Sequence, residues 1–190
     1  DSLIVATNQN DILHRCLSTG VYQTDTVIPS ISPSMDIQVS SNFERALFYA
    51  YDGDGAAISR MMDGLKSEGG FEISQGIQQK LSEDFGSGRV SEAETSATIA
   101  AHCKSTGEIL CPHSAIGVNV AEALRDPHVP MVTLATAHPA KFPDAVEAAT
   151  SQRPELPERM ADLYSRSERL TRVANDLAPL QQLIKERTLH

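Results

Sequence analysis

Short apolar runs alternate with capped helical stretches through residues 1–150, and that alternation restricts the chain to an α/β fold with a mostly parallel sheet flanked by helices. Residues 3–7 form a short continuous apolar run, as a strand buried on both faces requires. Asn8 is placed to cap a helix over residues 9–19, with Asp11 in its first turn and Gly20 at its end. Residues 26–35 are rich in Ser and Pro and read as a loop. Ser41-Asn42-Phe43-Glu44 has capping-box spacing and opens a helix to about Tyr51, and a second helix runs to about Lys66. After the Gly69-Gly70 break, residues 75–85 are helical. Ser91 to Glu94 is another capping box, starting a helix that stops at Gly107. Residues 108–111 predict a short strand, Pro112-His113-Ser114 starts a helix through Leu124, and residues 129–136 carry the clearest strand signal. Residues 142–150 are the last helix of this unit. The tail, 151–190, is polar and helical, with Leu177, Leu180, Leu183 and Ile184 on a narrow apolar stripe.

Composition removes several function classes. A net charge of −9 without a basic cluster argues against nucleic acid, as do the few aromatics and the absence of Trp. No apolar run reaches membrane-spanning length and no signal peptide is legible, so no membrane partner is expected. Three cysteines, Cys16, Cys103 and Cys111, form no disulfide framework and suit a reducing cytoplasm. The chain opens without Met, inside a strand-like run, which suggests a truncated or processed product. No metal is expected: His102, Cys103, Cys111 and His113 match no standard zinc spacing. His14 and Cys16 are two apart on a helix and face different ways, which disfavours a thiol nucleophile.

Ligands in open parallel sheets gather at the carboxyl ends of strands, which directs attention to residues 7–10, 111–114 and 136–141. Distinctive segments stand at these places and between them. Ala6-Thr7-Asn8-Gln9-Asn10-Asp11-Ile12-Leu13 is followed by Ser34-Met35-Asp36-Ile37-Gln38 and Ser41-Asn42-Phe43-Glu44-Arg45. Further on stands Ala135-Thr136-Ala137-His138-Pro139-Ala140-Lys141-Phe142. In order and spacing these resemble the threonine synthases over residues 1–150. Cys111-Pro112-His113-Ser114-Ala115-Ile116-Gly117 resembles a fourth family segment, with Cys111 where Asp is usual.

The resemblance implies the tryptophan-synthase-like (type II) fold of pyridoxal 5'-phosphate (PLP) enzymes, of which this chain would be the C-terminal part. It implies a lyase of threonine biosynthesis that converts O-phosphohomoserine and water to L-threonine and phosphate. It also implies that the Schiff-base lysine and the glycine-rich phosphate loop lie upstream. No lysine here stands in the family's lysine motif, so no catalytic residue is assigned. The chain alone is expected to be inactive, to bind no PLP and to self-associate through an exposed cut surface. A catalytically silent binding module and a sister PLP lyase acting on another substituted amino acid are the alternatives.

Within that resemblance Thr136 is the cofactor-binding candidate, the hydroxyl that faces the pyridine nitrogen, with Thr133 a rival. His138 and Lys141 flank the same turn and are candidates for the substrate phosphate. Asn42 and Arg45 sit at a helix start beside a guanidinium, a natural phosphate seat. Asn10 and Asp11 are placed to line the substrate cleft, and His113 and Ser114 to border it at another helix start. Each has a plainer structural role open to it: capping, turn packing or solvation.

Overall fold

Strand β1, Leu3–Thr7, runs parallel to β4, Phe85–Arg89, in register from Leu3 opposite Phe85 to Thr7 opposite Arg89. The computed structural model describes residues 2–188, and the chain divides into two units after Glu155. Between the paired strands the chain makes α1 (Ile12–Thr19), β2 (Val21–Gln23), α2 (Phe43–Ala50), α3 (Gly55–Glu68), β3 (Gly70–Glu72) and α4 (Gln75–Asp84). After β4 come α5 (Glu92–Thr106), α6 (Pro112–Leu124) and α7 (Pro143–Thr150). The fold is α/β as the alternation required. In the unit from Leu156 onward, two short 3-10 turns precede α8, Leu177–Thr188, whose Leu177, Leu180 and Ile184 are exposed.

Two apolar clusters hold the first unit. Ile12, Cys16, Tyr22, Leu47, Ala50, Ile73 and Leu81 join α1, α2 and α4 to β2. Tyr22 is sandwiched between Phe43 and Phe71, with ring centroids 5.7 and 4.7 Å away and planes nearly parallel. Val90, Ile116 and Val120 form the second cluster, with Ile4, Ala6 and Met35 packed against it, and so seat α6 on the β1–β4 pair.

Helix ends follow the sequence where polar caps and glycines stand. Ser91 and Glu94 form the expected capping box of α5. Gly20 ends α1 at φ 81°, in the left-handed region, with its N–H bonded to the Cys16 carbonyl at 2.8 Å.

Several expectations are corrected. Helix α1 starts at Ile12, because Asn8 folds into a local turn in which its side-chain oxygen accepts the Asn10 N–H at 2.8 Å. The Ser41–Glu44 capping box does not form; Asn42 precedes α2 in helical backbone geometry without a side-chain cap. Residues 108–111 and 129–136 are not strands. A ladder needs a neighbour to take each N–H and C=O, and among the described residues none lies beside 129–136, where Val132 and Leu134 are 79% and 78% exposed. The short β2–β3 antiparallel pair and β4 were not foreseen.

Strand β4, Phe-Gly-Ser-Gly-Arg, reads as a turn, yet its glycines are demanded by packing. A Cβ at Gly88 would sit 2.7 and 2.9 Å from the two γ-methyls of Val120 on α6. Gly88→Ala should therefore destabilise the protein by about 1–3 kcal/mol, the usual range for overpacking. Chemical denaturation of parent and variant checks this; an unchanged midpoint would mean that α6 moves away freely.

Candidate functional site

The carboxyl end of β1 is tied to loop 26–38 by a polar network. Asn8 and Asn10 are both buried. Asp36 accepts hydrogen bonds from Asn8 Nδ2 (2.7 Å), Asn10 Nδ2 (3.0 Å), the Ser30 N–H (2.8 Å) and the Ser30 hydroxyl (2.7 Å). Asn10 also receives the Ile28 N–H and donates to the Ile28 carbonyl, both at 2.8 Å. Its amide is fully engaged in holding the loop. Asp11 pairs with Arg15 at 2.9 Å and Arg89 at 3.3 Å, which ties α1 to the end of β4.

A second set gathers at the start of α6. Cys111 is buried and caps the helix, its sulfur accepting the Ser114 N–H at 3.4 Å. The Ser114 hydroxyl, also buried, accepts the Thr136 N–H at 3.1 Å and lies 3.3 Å from the Thr136 hydroxyl and 3.2 Å from the Cys111 sulfur. Thr136 itself is exposed. The result is an exposed threonine whose hydroxyl rests on a buried polar footing. The Thr133 methyl lies 3.0 Å from where a Cβ on Gly117 of α6 would sit.

His113 stands in the same turn and is 7% exposed. The Ser34 N–H donates to its Nε2 at 3.1 Å, so the ring proton resides on Nδ1, which has no hydrogen-bond partner among the described residues. Burial pushes the His113 pKa below its ordinary value; the Lys141 charge adds to this and Asp36 opposes it. The imidazole is thus a neutral group at pH 7. Phe142 packs against it, ring centroids 4.5 Å apart, and the Lys141 ammonium lies 5.7 Å from the centre of that Phe142 ring. His138 serves its own turn, Nδ1 accepting the Ala140 N–H at 3.2 Å.

Asn42 and Arg45 lie elsewhere. Arg45 lines an open groove of about 480 Å³ between α2 and α3, with Phe48, Met62, Asp63 and Lys66. Among the described residues no hydrogen bond or ion pair joins this groove to Thr136 or His113. The structure therefore unites Thr136, Ser114, His113 and Lys141, places Asn10 and Asp11 in the β1 network, and leaves Asn42 and Arg45 apart.

Three positioning groups were not singled out from sequence: Ser30, Asp36 and Phe142. Asp36 had one available signal, a carboxylate following a Ser-Pro-rich loop that needs an anchor. Among the described residues, no group of three or more His, Cys, Asp or Glu side chains could hold a metal ion. The Cys16 thiol is pushed up to about 12 by burial, with Arg15 opposing, and stays unreactive.

Comparison with known proteins adds an independent line. A family model described as "Threonine synthase, C-terminal" matches residues 114–184. A threonine synthase of Pseudomonas aeruginosa is 49% identical over 186 residues, covering 97% of this chain and 40% of that protein. One from Saccharomyces cerevisiae is 39% identical, covering 90% and 38%. The crystal structure of a PLP-bound threonine synthase from Brucella melitensis superposes with a TM-score of 0.90 at 48% identity, covering 97% of this chain and 40% of that one. The chain thus spans about 40% of the length of these relatives. With the α/β fold, the motif segments and these likenesses in agreement, the chain is similar over nearly its whole length to the C-terminal part of threonine synthases.

Proposed function

We propose that this chain is the C-terminal part of a cytoplasmic PLP-dependent lyase that converts O-phosphohomoserine and water into L-threonine and phosphate. The observation that carries the reading is Thr136, an exposed residue whose hydroxyl and N–H meet the Ser114 hydroxyl at the start of α6. The relatives' names support the same reading.

The donor set fits PLP. An unprotonated pyridine nitrogen is an acceptor, and Thr136 offers a hydroxyl with no carboxylate among its hydrogen-bond partners. When bound, PLP supplies the electron sink for reactions at the carbons of the amino acid. The chain's residues supply position and charge. Thr136 orients the pyridine ring through its nitrogen. Lys141 and Arg45 are the cations available to a substrate phosphate, Arg45 with the α2 start at Asn42. His113 and His138 border the cleft, Asn10 holds its floor through the loop it anchors, and Asp11 through its pairs with Arg15 and Arg89. No helix is long and apolar enough to cross a membrane.

Thr136→Val in the full-length enzyme should lower kcat by roughly tenfold or more, since a lost transition-state hydrogen bond is worth a few kcal/mol. The unfolding midpoint should stay within a few degrees. An unchanged kcat would remove Thr136 from the site.

Arg45→Ala should raise KM for O-phosphohomoserine by roughly tenfold, the scale of one charged hydrogen bond, and should weaken inhibition by inorganic phosphate. If neither moves, Arg45 has no part in phosphate binding and Lys141 is left as the cation for that role.

The purified chain alone should release no phosphate when mixed with PLP and O-phosphohomoserine, because none of its lysines, Lys66, Lys80 and Lys104 included, stands in the family's cofactor-lysine motif. It should also self-associate, since Val132 and Leu134 present bare apolar surface on an unpaired segment. Catalytic phosphate release from the chain alone would overturn this division of labour.

A further inference from the structure

Loop 26–38 is attached to the rest of its unit in two separable ways. The 3-10 turn Pro33–Met35 reaches α6 through the Ser34 N–H, which donates to His113 Nε2 at 3.1 Å. Met35 adds an apolar contact with the Val90–Ile116–Val120 cluster. The other anchors run to the segment after β1. The Ile28 N–H donates to Asn10 Oδ1 and the Ser30 N–H to Asp36, both at 2.8 Å, and Asp36 is held by Asn8 and Asn10. The attachment to α6 thus passes through an imidazole, a group that ordinarily titrates near pH 6.5, about a unit below neutrality.

A neutral imidazole has one nitrogen lone pair that can accept a hydrogen bond. A backbone N–H can only donate, so the Ser34 bond fixes that lone pair on Nε2 and the ring proton on Nδ1. A second proton has one place to go, Nε2, where it would point at the Ser34 N–H. Protonation of His113 and the bond to Ser34 are therefore mutually exclusive. The surroundings act in the same direction. The ring is 7% exposed, and Phe142 packs on it with centroids 4.5 Å apart. Two charged groups act on it: Lys141, from the 3-10 turn Pro139–Lys141, opposes a second charge, and Asp36, from the loop, favours it less strongly. Its own helix start contributes the Cys111 thiol and the Ser114 hydroxyl.

We infer that the Ser34–His113 bond is an acid-sensitive latch: a proton on His113 releases the Pro33–Met35 turn from α6, while the Asn10 and Asp36 anchors keep the remainder of the loop in place. The sign follows from the two environments of the ring. With the turn closed, burial and Lys141 hold the His113 pKa below its ordinary value. Once the turn lifts and water reaches the ring, the pKa returns towards that value. The open form therefore binds more protons. The latch is fully set above the ordinary pKa and weakens as pH falls through it. The inference concerns this chain's own loop and is independent of the proposed reaction.

The test is amide hydrogen exchange on the full-length protein, resolved by residue and corrected for intrinsic rates, from about pH 7.5 to about pH 5.5, a range that brackets the ordinary histidine pKa. NMR of ¹⁵N-labelled histidine reads the ring. At the higher pH, His113 should carry its proton on Nδ1 and none on Nε2. On acidification, corrected exchange at Ser34 should quicken by up to roughly tenfold, the limit reached one unit below the ordinary pKa when the open form alone takes up the proton. Ile28 and Ser30 should keep their protection. In His113→Gln the side-chain carbonyl can accept the same N–H without titrating, so exchange at Ser34 should become indifferent to pH. A proton on Nε2 at the higher pH, or Ser34 protection unchanged across the range in the parent, would overturn the inference. So would quickening at Ser30 together with Ser34, or an acid response that persists in His113→Gln; either would place the titration on another group such as Asp36. If His113→Gln does not fold, the pattern in the parent decides, since quickening at Ser34 without Ser30 distinguishes the latch from the Asp36 anchor.

Discussion

The Asp36 carboxylate is the constraint on which the site's geometry rests. It draws two side-chain amides from the end of β1 and both donors of Ser30 onto itself. A partly buried carboxylate needs such donors to offset its lost hydration. Satisfying it folds loop 26–38 back across the strand end. Met35, one residue earlier, then packs against the Val90–Ile116–Val120 cluster, and the Ser34 N–H reaches His113 at the start of α6. One carboxylate thereby ties β1, the loop and α6 together. His113 carries the linkage onward to Phe142 and the turn that bears Lys141.

Local chemistry explains which elements were legible. Helices α5 and α6 were readable to the residue because their ends are set by neighbours in sequence: Ser91 with Glu94, Pro112 in the first turn, and Gly107 in the left-handed region. Strand β4 was not readable, because the reason for Gly86 and Gly88 is non-local. They admit Ile4 and Val120, which lie 82 and 32 residues away in sequence (86 minus 4, 120 minus 88). Glycine in a strand interior usually weakens it; here it is what allows α6 to approach. The opposite error occurred at 129–136. Its β-branched and apolar composition describes a surface suited to a sheet, but pairing comes from a neighbouring strand, which composition cannot supply.

The site was legible in parts for the same reason. Thr136, Ser114 and His113 stand in compact segments whose residue types carry the chemistry, and the fold brings them together. Asn10 and Asp11 were placed correctly at a strand end, but their partners, Asp36 and Arg89, are distant in sequence, so their engagement in the network was not visible. The Ser41–Glu44 spacing shows the limit of reading a helix start from sequence: the capping pattern is present, while the backbone at Asn42 is already helical and no side-chain cap forms.

Charge is distributed unevenly around the α6 start, and the distribution has a chemical direction. The thiol of Cys111, the hydroxyls of Ser114 and Thr136, and the neutral imidazole of His113 bring no formal charge to the footing. Asp36, the carboxylate that acts on His113, opposes the effect of Lys141 there while it accepts four hydrogen bonds from Asn8, Asn10 and Ser30. Lys141 supplies the positive charge on the same turn, strong enough to depress His113 further. A neutral polar surface beside one cation is suited to a ligand with a neutral ring at one end and an anion at the other. That arrangement also requires His113 to remain unprotonated. The Ser34 N–H occupies its only free lone pair, so adding a proton would set two donors against each other.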